Sequence, residues 1–562
     1  MNYRVICFAI GRILLVEAAL LLLPMAVGVG YGESPVPFLI PIALLVLCGG
    51  LLSFKKPKQM ALYARDGMAV VALAWIAMSL FGGLPFYISG DIPKYVDCIF
   101  ETVSGFTTTG ATILTEVESL SRGILFWRSF THWVGGMGVL VFVMAILPMG
   151  GDGHGMHMLR AEMPGPAPGK LVSRMSDTAK ILYGIYLVMT IIEIILLVAG
   201  GMPLFDACIH SFGSAGTGGF SCRNLSVGAY NNPYFDIVIG IFMLLFGVNF
   251  NLYYFLLVRK FREVFRSEEL WAYVGIVAVA VVAITADIVH LYDSVGTSLR
   301  HAFFQVSSIM TTTGYATVDF NTWPTFSKAI LVALMFIGGC AGSTAGGLKV
   351  ARVVILEKVS VSEMRRMLHP NAVSTVRFEG KPLNERSIQG VHLFLAVYLV
   401  IFVVSCLLVA LEQMDLVTVF TAVATCINNV GPGLDIVGPA SPIFPSCCCP
   451  LTCWWAGWRS SPCCCCSPPP SGSGGCPPGN RPPLISEPHM DRPVKERSFT
   501  GLFCVLGRHL DRMPSRRQTL RRVRRYTPYS TADNAVITAP QAAMPANSPG
   551  VKRLSLKYMI IR

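Results

Sequence analysis

Apolar runs of about 20 residues, each long enough to cross a hydrocarbon core of ~30 Å as a helix, recur along the chain from Val5 to Leu411. They predict helices over 5–25, 36–54, 67–88, 126–147, 181–200, 234–258, 270–290, 326–348 and 390–411. The first run carries Arg12 and Glu17 and no small-residue cleavage site follows it, so it reads as a retained helix rather than a signal peptide. Polar links between the runs alternate in charge. Lys55, Lys56, Lys58 and Arg65 follow the second helix, and Arg160, Lys170, Arg174 and Lys180 fill the next such link. Arg259, Lys260, Arg262 and Arg266 mark a third, and eight more basic residues lie between Lys349 and Arg386. The alternate connections hold only Lys94, Arg122, Arg223 and Arg300. Because basic residues are retained on the cytoplasmic side, this asymmetry places the N-terminus inside.

The alternate connections share a pattern of their own. Each is a short apolar stretch followed by a segment rich in glycine and threonine: DCIFETVSGFTTTGAT, DACIHSFGSAGTGGFS, HAFFQVSSIMTTTGYA and TVFTAVATCINNVGPG. Aligned on Gly110, Gly219, Gly314 and Gly431 they need no gaps, with small residues Ser104, Gly213, Ser308 and Thr425 six positions before each glycine. Spacings of 109, 95 and 117 residues fit a repeated unit of helix, pore loop and helix, and self-similarity on that scale marks fourfold internal duplication.

An apolar stretch of about ten residues is too short to span a bilayer and suits a re-entrant pore helix. Backbone leaving such a helix at membrane depth must be buried in protein or line water, a condition four segments around one axis satisfy together. A potassium filter replaces the hydration shell of the ion with rings of carbonyl oxygens, and glycine permits the backbone dihedrals this requires. The candidate ion-binding residues are therefore Thr108, Thr109 and Gly110; Thr217, Gly218 and Gly219; Thr312, Thr313 and Gly314; and Asn429, Val430 and Gly431. Potassium itself is expected at Thr109, Gly110, Gly219, Thr313, Gly314 and Gly431. The hydroxyls of Thr107–Thr109 and Thr311–Thr313 are available as extra oxygens. Asp97, Glu101 and Asp206 are positioned to concentrate cations at the mouth, with pore-helix caps or first-turn acids as the competing reading for Asp97 and Asp206.

A second signal is GGCAGSTAGGLK, residues 338–349, where five glycines with Ser343 and Thr344 should break a membrane helix. Gly338, Gly339, Gly342, Ser343, Thr344, Gly346 and Gly347 are accordingly the candidate gate loop below the filter; close helix packing is the competing reading. Glu193 within an apolar helix should face a partner or water. His154 and His157 fit a polar loop better than a metal site. No phosphate-binding loop, HExxH or nucleophile elbow is present, so the sequence points away from an enzyme, and no cofactor is expected beyond K+ as transported ion.

Composition sharpens the picture at the C-terminus. The chain has 562 residues, 53% hydrophobic and 14% charged, with a net charge of +13. From Ser441 onward there are 17 Lys and Arg against five Asp and Glu, and ten of the 18 cysteines, so the charge is a property of the tail and is no sign of nucleic-acid binding.

At these repeats the sequence resembles the TrkH potassium transporter family, in the superfamily that includes Ktr, HKT and the channel-like subunit of the Kdp pump. The resemblance covers about residues 1–438 and rests on SGFTTTGAT, TTTGYAT, NNVGPG, GGCAGSTAGGLK and HWVGGMGVLVF from His132 to Phe142. It implies an all-α membrane protein with two N-terminal helices (1–66) and four repeats around a pseudo-fourfold pore. The repeats fall at 67–170, 171–268, 269–386 with the gate loop, and an incomplete 387–440. It also implies a homodimer in the bacterial inner membrane, bathed by membrane lipids, gated by a cytoplasmic nucleotide-binding ring of the TrkA type. Glycine in the first filter is similar to the potassium-selective members; a sodium-permeable or sodium-coupled carrier and a non-transporting assembly protein are the alternatives. The family pattern requires a last outer helix after the fourth filter. Residues 441–562 instead give CCC, CCCC, PPP and RRQTLRRVRR, a tail expected to be disordered and explicable as an out-of-frame reading. A final helix found in another frame of the gene would establish that; its loss would put the activity of this chain in question.

Overall fold

The computed structural model describes residues 2–55, 57, 64–136, 138, 175–370 and 375–438. The tail, the His154/His157 segment and the second half of the helix expected over 126–147 lie outside the described residues. Regular structure among the described residues is helical apart from one antiparallel hairpin, Arg377–Phe378 with Lys381–Pro382.

The N-terminal extension consists of Tyr3–Leu20, Leu22–Gly30 and Val36–Ser53. Glu33, in the turn before the last of these, accepts hydrogen bonds from the backbone N–H groups of Arg122 (2.5 Å) and Gly123 (2.9 Å). It thereby caps a helix of the first repeat, satisfying donors that have no partner within that helix.

Each repeat then supplies an entering helix and a short pore helix. The entering helices are Ala64–Gly82, Met175–Ala199, Glu268–Ile288 and Glu385–Val409, and the pore helices are Tyr95–Phe106, Leu204–Gly216, Val295–Met310 and Leu416–Asn428. Twelve residues of pore helix reach about 18 Å, well short of the bilayer. Side-chain caps start two of the pore helices, Ser294 accepting from Thr297 N and Asp415 from Val417 N. The returning helices are Arg122–Gly136, Pro233–Phe246 with Phe250–Leu257, and Thr325–Ile337.

The outer faces are apolar, and several polar side chains are held inside. Val279, Val282, Val400 and Leu407 on entering helices are more than 60% exposed, whereas Glu17, Glu193, Gln305 and Ser308 are fully buried. Exposed apolar flanks around a polar interior are stable only with hydrocarbon as solvent. Among the described residues, six helices are long and apolar enough to cross a membrane, or seven with the bent pair taken as one span. The chain is an all-α, multi-pass membrane protein.

Four expected helices are interrupted: the run over 5–25 at Leu21, and three others, each with a cause. The run over 67–88 interrupts at Gly83, and the carbonyl of Gly82 accepts the indole N–H of buried Trp127 at 2.9 Å. The run over 234–258 bends by 91° between Phe246 and Phe250. There Asn249 caps the second half, while the freed carbonyls of Gly247 and Phe246 accept from Cys340 N (2.9 Å) and Thr344 Oγ1 (3.2 Å). The run over 326–348 stops at Ile337, because the chain turns at Gly338 into the glycine loop, and a helix resumes at Val350–Leu368.

Candidate ion-binding site

The four segments after the pore helices have the same backbone. Counting from the aligned glycine as zero, position −2 is left-handed in every repeat: φ is 57° at Thr108, 52° at Thr217, 56° at Thr312 and 57° at Asn429. Position 0 is left-handed again, at 73°, 76°, 90° and 91° for Gly110, Gly219, Gly314 and Gly431. The intervening residue is not. In a regular strand successive carbonyls point to opposite sides, and alternating the sign of φ turns them to one side. This is why the pivotal position excludes side chains.

The N–H groups go the other way, to the pore helix. At position −1, Thr109, Gly218, Thr313 and Val430 donate to Ser104, Gly213, Ser308 and Thr425 carbonyls at 2.9, 2.9, 2.8 and 2.9 Å. At position −2, Thr108, Thr217, Thr312 and Asn429 donate one residue further along the helix, at 3.1 to 3.4 Å. These bonds satisfy pore-helix carbonyls that would otherwise end unpaired. Among the described residues, the carbonyl oxygens of positions −2, −1 and 0 accept no hydrogen bond in any repeat. Buried backbone oxygens are rarely left so.

The segments meet in a closed circuit in chain order. A Cβ on Gly110 would overlap the carbonyl oxygen of Gly218, one on Gly219 that of Thr313, and one on Gly314 that of Val430. On Gly431 it would lie 3.2 Å from the carbonyl oxygen of Thr109, which returns to the first repeat. The candidate residues at positions −1 and 0 of all four segments are therefore brought together.

Their side chains differ from the expectation. Thr107 and Thr109 hydroxyls pair at 2.8 Å, as do those of Thr311 and Thr313, and Thr107 and Thr311 donate on to Val103 and Ser307 carbonyls. These hydroxyls brace the turn instead of adding pore oxygens. Thr312 Oγ1 accepts from Gly346 N at 2.6 Å.

The acids also differ. Glu101 is buried and ion-paired with Arg128 at 2.6 Å, so it cannot draw cations to the mouth. The pair ties two repeats. Glu101 accepts from Thr112 Oγ1 (2.8 Å), while Arg128 donates to Ser221 O (3.2 Å) and stacks 3.5 Å from the Phe220 ring centroid. Asp206 is engaged by Arg223 (3.4 Å) and by the Tyr230 hydroxyl (2.6 Å). In the loop, burial pushes the Tyr230 phenol above its ordinary range. Asp97 is half-buried in the first turn of its pore helix. Glu193 is fully buried, with Ser214 of the second pore helix as its polar neighbour, and faces protein rather than water.

The glycine loop lies against the third and fourth glycine-centred segments. Gly346 N reaches Thr312, Gly347 N donates to Asn428 O at 3.2 Å, and a Cβ on Gly346 would overlap that same oxygen. Gly338 closes the loop on itself, since a Cβ there would overlap Gly346 O. Gly339 packs against Ala345, Gly342 O accepts from Phe250 N (3.0 Å), Ser343 Oγ donates to Cys340 O (2.6 Å), and Thr344 holds the bent helix.

Three contributors escaped sequence reasoning. The Arg128–Glu101 pair had no local signature. Tyr315 Oη donates to Phe220 O (3.2 Å) and His210 O (3.0 Å), taking the place of the hydroxyl that Gly213 lacks. Asn429 Nδ2 donates to Thr107 O at 2.7 Å, joining the fourth repeat to the first. Gly213 among three hydroxyl-bearing equivalents was the one available hint.

Fold and site together define an all-α membrane protein in which four short helices each lead into a glycine-centred segment of the same backbone conformation. The profile of TrkH, a cation transport protein, matches residues 36–441. The chain is 38% identical over 449 residues to the Trk system potassium uptake protein TrkH of Salmonella typhimurium, across 78% of this chain and 92% of that protein. With TrkG of Escherichia coli K12, also a Trk system potassium uptake protein, it shares 36% over 440 residues, covering 77% and 90%. The crystal structure of the potassium transporter TrkH from Vibrio parahaemolyticus superposes with a TM-score of 0.73 at 32% identity, covering 82% of this chain and 97% of that one. The chain belongs to the TrkH family of cation transport proteins.

Proposed function

We propose that the chain is a potassium uptake transporter of the bacterial inner membrane, in which K+ passes through the ring of backbone oxygens at Thr108–Gly110, Thr217–Gly219, Thr312–Gly314 and 429–431. The observation that carries this reading is the set of carbonyls at positions −2, −1 and 0, turned to one side by alternating φ and accepting no hydrogen bond among the described residues. Oxygens left without donors in a buried circuit need a cation, and a fixed ring of dipoles supplies what a dehydrated K+ loses. No Lys or Arg falls within the four segments.

The glycine loop at 338–349 is the gate. Its contact with Thr312 and Asn428 supports this reading, since a loop on the helix side of the filter alters the exit path when it moves. The potassium uptake named for the relatives extends to this chain through these residues, and with it a homodimer, a TrkA-type nucleotide-binding ring and an N-terminus in the cytoplasm.

The test is flux from liposomes carrying the full chain, with K+, Rb+ and Na+ compared, beside a version in which an apolar helix follows Gly438. Selective K+ and Rb+ flux in either supports the reading. Equal Na+ flux, or none in both, contradicts it.

A further inference from the structure

The glycine loop is held from two sides, and only one belongs to the filter. Glu269 lies in the first turn of Glu268–Ile288, at the end of that helix remote from the pore helix that follows it. Its side chain is buried, and one oxygen, Oε1, accepts from two backbone donors: Ala341 N within the loop (2.5 Å) and Ala351 N at the start of the next helix (3.2 Å). A single carboxylate oxygen thus pins both limbs of the loop. Two such bonds to one buried oxygen hold glycine-rich backbone with little rigidity of its own.

The first turn carrying Glu269 is itself held by the hairpin. Glu379, in its turn, accepts from Ser267 Oγ (3.0 Å) and Glu269 N (3.2 Å). Lys358 joins the same end by pairing with Glu268 and donating to Arg377 O.

We propose that Glu269 is the latch that fixes the glycine loop beneath the filter, and that the hairpin Arg377–Pro382 is its handle, acting through Glu379. The latch deepens the reading of residues 338–349 as a gate and rests on it. Glu269 is a positioning residue, touching loop backbone rather than ion.

Cys340 supplies a readout that does not require transport, because it lies in the loop and is 1% exposed. The full chain in detergent is treated with a charged methanethiosulfonate, and modification is followed by peptide mass spectrometry. Cys98 and Cys426, buried in the first and fourth pore helices, report whether the rest stays folded. In Glu269→Ala, Cys340 should label about tenfold faster or more while Cys98 and Cys426 stay protected. Glu269→Gln, whose amide oxygen can accept from both N–H groups, should restore protection. Glu379→Ala should give an intermediate rate. If Cys340 stays protected in Glu269→Ala, or if Gln behaves as Ala does, the latch is wrong. Exposure of Cys340 with K+ flux unchanged supports the latch and overturns the gate.

Discussion

The first and third glycine-centred segments are braced by their own hydroxyls, whereas the second and fourth also draw on neighbouring segments. In the odd repeats Ser104 and Ser308 donate to the carbonyl at position +1, Ala111 and Tyr315, each at 2.6 Å. Paired threonine hydroxyls lock the same turns. The second repeat has glycine at three of these places and no hydroxyl for the task. It is held by Tyr315 of the third repeat, by Arg128 of the first, and by the His132 ring, which occupies the space a Cβ on Gly218 would need. In the fourth repeat Thr425 Oγ1 turns back to Ala422 O, and Asn429 reaches across to Thr107. One backbone geometry is thus reached by local chemistry in two repeats and by tertiary contact in the other two.

That contrast can be broken in graded steps. Arg128→Ala leaves Glu101 buried without its cation and removes support from the second repeat; a loss of about 3–5 kcal/mol is expected, seen as a lower thermal midpoint in detergent. Replacing both partners by Met should recover most of it, since two apolar groups leave no orphaned charge. Tyr315→Phe lies in the third repeat but should damage the second, at about 1–3 kcal/mol, by stranding Phe220 O, whereas His210 O keeps the Ser214 hydroxyl; its measurement is the K+ to Na+ flux ratio. Ser308→Ala removes a bond internal to an odd repeat and should cost about 1 kcal/mol, with a smaller change in that ratio. Asn429→Ala should be mildest on stability, about 0.5–1.5 kcal/mol, its signature a fourth segment loosened from the first in hydrogen exchange. If Ser308→Ala proves worse than Tyr315→Phe, the division between odd and even repeats fails.

The same division explains what was legible in the sequence. Long apolar runs mark membrane helices by composition alone, so six of the expected spans are recovered near their predicted bounds. The in-phase glycines located four segments of one backbone conformation because a positive φ at a close backbone approach leaves no alternative residue. Break points were harder. Gly247 sits in an apolar run, and the partners that satisfy its bent backbone, Cys340 and Thr344, come from nearly a hundred residues away. The roles of Glu101 and Asp206 were ambiguous for a related reason. An acid near a pore mouth looks alike whether free or paired, and the pairing partners Arg128 and Arg223 lie on other elements.

The most direct test is a structure of the full chain grown with Tl+ or Rb+ in place of K+, with the anomalous signal mapped along the filter. The expected result is density on the axis enclosed by the carbonyls of Thr109, Gly218, Thr313 and Val430, and absent when the salt is sodium. Four segments that stand apart around an empty centre, with the heavy cation bound elsewhere, would contradict the account.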